Sequence, residues 1–305
     1  MLQEIFYWIV NMSMIASVYG IIIYFLRYIR SLPRTAVYYL WSIVLLRMLC
    51  PVGISSRFSL MNLLSGLLDR AIVRTVPVEE MSLSLSNTIH GARTYAPITY
   101  KTDALETFFR SASILWMILA LALILAVILL YHATGSELRK ASLLREDLYE
   151  GDMVSTPVTA GIIRPRIILP REVDPGHLEY ILLHERVHRR RMDNLWRMVA
   201  IIAVCIHWFN PLSWVFIKIL LNDCELACDE AAVKQLGDEE RKSYAHTLLN
   251  YAAAPAVFSS AFGGSRVRLR IERVLTYRRL TWFSSICFCI LCLTVAYLLL
   301  TNGVA

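Results

Sequence analysis

Charge is scarce in this chain. Asp, Glu, Lys and Arg make up 18% of its 305 residues, against about 25% in an ordinary soluble domain. It is absent altogether from residues 5–26, 111–131 and 281–301. A disulfide pattern is also missing: the seven cysteines include Cys287, Cys289 and Cys292 inside one apolar run, unlike the spaced pairs that staple small secreted domains. The amino terminus lacks the basic region of a secretory signal, and the apolar run behind it is too long for one. It reads as a retained anchor. No nucleic-acid-binding motif occurs, so the net charge of +7 points to membrane orientation and anionic lipid.

Apolar residues fill the space that charge leaves. They form 57% of the chain, with a mean hydropathy of +0.52. Residues 5–26, 36–52, 111–131 and 281–301 are four expected transmembrane helices, with Arg47 placed to snorkel at one end of the second. Arg27, Arg30 and Arg34 follow the first stretch, Arg139, Lys140 and Arg145 follow the third, and Arg266 to Arg279 precede the fourth. Basic residues favour the cytoplasmic side. Residues 53–110 are therefore expected outside as a loop, residues 132–280 inside as a domain, and residues 302–305 outside as a short tail. The expectation is a multi-pass protein of a bacterial cell membrane with both termini external.

Within the cytoplasmic part lies His184-Glu185-Arg186-Val187-His188. On a helix the two histidines share a face and can aim two imidazoles at one ion, while Glu185 can reach a water on that ion. Two ligands plus a carboxylate base is the arrangement of zinc peptidases. Catalytic zinc takes a third protein ligand. The run Asn222 to Glu230 offers Glu225 for it, with Asp229 one turn on to accept the other ring N–H of a ligating histidine. Asp223 and Glu230 read as a solvated face. Cys224 and Cys228 offer an alternative, a closed structural site of thiolates that leaves Glu185 without a task. Candidates for a donor to the oxyanion are His207, Tyr244 and His246. Arg189-Arg190-Arg191 reads as an interfacial anchor.

The apolar run 195–221 passes for a further span, yet His184, His188 and Glu225 must meet at one ion, so its two ends lie on one side. Asn210-Pro211 breaks it. The expectation is an antiparallel helix hairpin, about 176–208 and 212–236, against or partly within the membrane. Upstream, residues 154–170 hold two β-branched runs joined through Gly161 and an Arg-Pro turn, read as a small sheet. Its edge can hold a peptide or simply pack. Asp174 is placed to cap the motif helix.

Together these pieces resemble the BlaR/MecR-type membrane metallopeptidases. The likeness rests on Gly161-Ile162-Ile163-Arg164-Pro165, His184 to His188 with Arg191-Met192-Asp193, His207-Trp208-Phe209-Asn210-Pro211-Leu212, and Glu225-Leu226-Ala227-Cys228-Asp229-Glu230. It implies a mostly α protein with a gluzincin-like domain holding one catalytic zinc on His184, His188 and Glu225, with Glu185 as base. It also implies a regulatory protease acting on a cytoplasmic protein, such as a transcriptional repressor, or on itself. Sensor members carry a penicillin-binding domain after the last span; this sequence ends at Ala305, so covalent β-lactam sensing is not expected. A receptor with a structural zinc, or a broad quality-control peptidase, are the other readings, and homo-oligomerisation stays open.

Overall fold

The computed structural model describes residues 2–29, 32–50, 54–55, 103–145, 147–152, 154–252, 263–277 and 282–302. Most of the expected external loop, residues 56–102, lies outside them. The described chain is mostly helical: α1 (Leu2–Leu26), α2 (Arg34–Leu49), α3 (Asp103–Leu138), α4 (Pro175–Arg191), α5 (Asp193–Ile206), α6 (Pro211–Leu236), α7 (Arg241–Ala252), α8 (Gly263–Leu275) and α9 (Trp282–Leu300). Two helical stretches, Leu2–Leu26 and Thr107–Leu138, are long and apolar enough to cross a membrane. On α3, the side chains of Leu115, Ile118, Leu121, Leu125 and Leu129 are exposed, as a surface that meets lipid rather than water must be. At 16 residues, α2 falls short of the about 20 a simple span needs.

The run at 195–221 does turn back. Asn210 caps α6, its side-chain carbonyl accepting from Leu212 N–H at 2.9 Å, with Pro211 at the first helical position. The first arm is not the single expected helix. It breaks at Met192, which sits at φ 55° and ψ 38° and whose N–H returns to the carbonyls of His188 and Arg189. Asp193 then opens α5, where a carboxylate suits the helix dipole.

This hairpin lies beside α1 and α2 and shares their core. Ala16, Tyr19 and Ile23 of α1 and Trp41, Val44 and Met48 of α2 are buried with Ala200 and Ala203 of α5 and Phe216 and Leu220 of α6. Gly20 lets the Phe216 ring lie directly on the α1 backbone. At the turn, Asn210 Nδ2 donates to the hydroxyls of Ser13 and Ser17 at 2.7 Å each, and His207 Nε2 bonds the Met48 carbonyl at 2.8 Å. Trp116 Nε1 of α3 donates to Ile206 O at 2.8 Å. Arg47 turns inward over the Tyr19 ring rather than snorkelling.

At the opposite end, α6 carries two carboxylates that are not the solvated face expected of them, one buried and one half-buried. Asp223, fully buried, accepts from Arg27 Nε and from Trp41 Nε1, each at 2.9 Å. Glu230 Oε2 accepts from the Thr35 N–H at 2.9 Å. The face they occupy is the one α1 and α2 cover, and buried charge persists only when paired.

A four-stranded sheet, ordered β2 (Ser142–Arg145), β3 (Leu148–Glu150), β5 (Arg166–Leu169) and β4 (Val158–Ala160), lies against α4. Strand β3 runs parallel to β5, whereas β4 is antiparallel with Thr159 opposite Ile167. Gly161, at φ 101°, makes the turn out of β4. A separate two-residue parallel pair joins β1 (Ile54–Ser55) to β6 (Thr301–Asn302).

Candidate metal centre

Helix α4 starts on the expected cap, Asp174 accepting from Gly176 N–H at 3.0 Å, and presents His184 and His188 one turn apart. Their Nε2 atoms lie 3.1 Å apart. From α6, Glu225 places Oε2 3.5 Å from His184 Nε2 and Oε1 3.6 Å from His188 Nε2. Ligands about 2.0–2.1 Å from a tetrahedral zinc stand about 3.4 Å from one another. Each ring nitrogen thus has one Glu225 oxygen at about the spacing that two ligands of such an ion would take.

Each imidazole is fixed from behind. His188 Nδ1 lies 2.6 Å from Asp193 Oδ2. His184 Nδ1 lies 2.8 Å from the Tyr244 hydroxyl, which donates to Asp229 Oδ1 at 2.9 Å. Asp229 Oδ1 is itself 3.4 Å from His184 Nδ1. Such partners set the tautomer and leave Nε2 free to bind metal.

Two arginines enter the cluster. Arg197 Nη2 lies 2.6 Å from Glu225 Oε1, and Arg270 Nη1 lies 3.3 Å from Oε2. Arg270 also grips Asp229 through Nε and Nη2 at 2.7 and 2.8 Å. Burial pushes the Glu225 carboxyl up, but the positive charge of His188 and Arg270 outweighs it and holds Glu225 well below the usual range. Asp229 is likewise held down by Arg270 and His184 against its own burial. Both carboxylates are ionised at neutral pH and are balanced by the guanidiniums of Arg197 and Arg270.

Glu185 is buried, and its Oε2 accepts from Thr159 Oγ1 of β4 at 2.6 Å. Asn194 Nδ2 donates to the carbonyls of Thr159 and Gly161 at 2.7 and 3.0 Å, which pins this edge strand to α5. Cys228 is also close. Its thiol lies within 4.8 Å of ring nitrogens of His184 and His188 and donates to the His184 carbonyl at 3.4 Å.

The other singled-out residues are dispersed. Tyr244 stands behind His184. His207 is at the hairpin turn on the Met48 carbonyl, and His246 lies with His177, ring centroids 5.4 Å apart. Arg191 is no surface anchor: its guanidinium lies 4.4 Å from the Tyr38 ring centroid. Thr159, Arg197 and Arg270 carry no site role that sequence alone suggests, and Asp193 enters there only as part of the family likeness. Asp193 had one signal, an acid just past the motif helix.

A mostly helical chain with membrane-type helices and this donor set has the character of a metallopeptidase-type fold. The profile described as BlaR1 peptidase M56 matches residues 7–274, and the chain belongs to that family. It is 29% identical over 164 residues to the regulatory protein BlaR1 of Bacillus licheniformis, covering 49% of this chain and 26% of that protein. It is 30% identical over 100 residues to the methicillin resistance mecR1 protein of Staphylococcus aureus, covering 32% and 17%. The chain thus spans about a quarter or less of the length of these relatives.

Proposed function

We propose that the chain is a membrane-embedded zinc metallopeptidase that cleaves a protein on the cytoplasmic side in a regulatory pathway. The observation that carries this reading is the convergence of His184, His188 and Glu225 within 3.1–3.6 Å of one another. The names of its relatives, a regulatory protein and a resistance protein, favour a signalling role over general proteolysis. Substrates in keeping with this are a transcriptional repressor or the chain itself.

His184, His188 and Glu225 would hold the ion, and Asp193, Tyr244 and Asp229 fix the two imidazole rings from behind. Bound zinc supplies Lewis acidity and an acidified water. Glu185, whose carboxylate is held by Thr159 Oγ1, would serve as the general base and acid, accepting a proton from the attacking water and passing it to the leaving amine. Tyr244 is committed to His184 and Asp229, so its task in this reading is to hold the ring. In this reading α9 and, despite its 16 residues, α2 cross the membrane as well, and the basic residues around Arg27 and Arg139 favour the inner side for residues 132–280.

The test is zinc-dependent cleavage of a co-expressed candidate repressor. Glu185→Gln should retain one zinc per chain and lose cleavage by about 100-fold or more. Full turnover in that variant would falsify the general-base assignment.

A further inference from the structure

The hydrogen bonds behind His188 lead into a membrane helix. Asp193 accepts from His188 through Oδ2 at 2.6 Å, and its other oxygen, Oδ1, accepts from the Tyr38 hydroxyl at 2.9 Å. Tyr38 belongs to α2 and lies 155 residues from Asp193 in sequence. All three side chains are buried, Asp193 completely. The Tyr38 ring packs on Cys224 and Ala227 of α6, one residue before and two after Glu225. One side chain therefore touches both the group that orients a histidine and the helix that carries the third donor.

Neighbouring bonds from the same face of α2 run to α6 and not to the metal centre. Thr35 reaches Glu230 and Trp41 reaches Asp223. Positions 35, 38 and 41 share one face of α2, and their partners run in reverse order along α6, as antiparallel helices require. A slide of α2 by one residue, about 1.5 Å, would break the bond from Tyr38 to Asp193. Arg191 Nε, at 3.4 Å from Asp193 Oδ1, offers charge there but no hydrogen bond. Without the Tyr38 hydroxyl, a buried carboxylate oxygen loses its donor, and Asp193 is free to rotate away from His188.

We propose that Tyr38 is a positioning residue of the metal centre, through which membrane helix α2 sets the orientation of His188. The proposal rests on the metallopeptidase reading and deepens it by making the centre incomplete without α2. Removing an outer partner of a metal ligand typically weakens metal binding 10–100-fold.

The experiment titrates the full chain in detergent with cobalt(II), a spectroscopic substitute for zinc, against a competing chelator. Tyr38→Phe keeps the ring and removes the hydroxyl. It should weaken cobalt affinity about 10-fold and shift the visible bands of the bound ion. Trp41→Phe, which cuts the adjacent bond to Asp223, should leave affinity and spectrum unchanged. The double variant Tyr38→Phe with Asp193→Asn should bind no more weakly than Asp193→Asn alone, since both act on one path. Unchanged affinity and spectrum in Tyr38→Phe overturn the proposal. So do additive losses in the double variant, or equal losses in Trp41→Phe, which assign the effect to helix packing. If the unsubstituted chain binds no cobalt, the metallopeptidase reading falls and takes this proposal with it.

Discussion

Glu225 stands between two imidazoles and two guanidiniums, and that crowding keeps a half-buried carboxylate ionised, as the proposed third ligand must be. Cys228 competes with it for the third position by proximity. The two choices separate by metal content. Glu225→Ala should lower zinc affinity by about 100-fold or more, whereas Cys228→Ala should keep zinc within a few-fold of the unsubstituted chain, read by competition with a chelator. The opposite pattern would mean a closed thiolate site. At this scale the sequence was informative wherever two residues share one helix. The turn-spaced pairs His184/His188 and Glu225/Asp229 could be read directly. Asp193, Arg197, Arg270 and Tyr38 could not, because each reaches the cluster from another element and no local pattern encodes such a meeting.

Among the elements, the motif helix and its successor are joined at an unusual point. Met192 holds a left-handed backbone that L residues adopt at a cost, and its side chain is largely exposed. Packing of Met192 does not explain the turn; the demand that Asp193 fall behind His188 does. A β-branched side chain tolerates this φ least, so Met192→Val should destabilise the fold by about 1–3 kcal/mol, seen as a lower thermal midpoint in detergent. Met192→Gly should show no loss. The break at Asn210-Pro211 was legible because proline chemistry is local. The break at Met192 was not, since neither glycine nor proline marks it.

For the molecule as a whole, the sequence reading placed Asp223 and Glu230 in water because it could not see α1 and α2 covering α6. The pairing of Glu230 with Thr35 has a pH signature. Burial raises the Glu230 carboxyl above its ordinary value of 4.5, only partly offset by the hydrogen bonds from Thr35 and Arg34. A raised folded value means the native state holds this proton more tightly than the unfolded chain. The resulting stability is complete below 4.5 and is lost as pH rises through the folded value. Glu230→Gln, uncharged throughout, should therefore gain in thermal midpoint relative to the unsubstituted chain as pH climbs from about 4.5 to 7. A constant difference across that range would refute the linkage.

The hairpin of α5 and α6 gives this chain an indivisible character. Phe216, Leu220, Ala200 and Ala203 share one core with α1 and α2, so cutting α5 and α6 free of those helices would expose that apolar face to solvent. The bundle and the chemistry must be inherited as one piece.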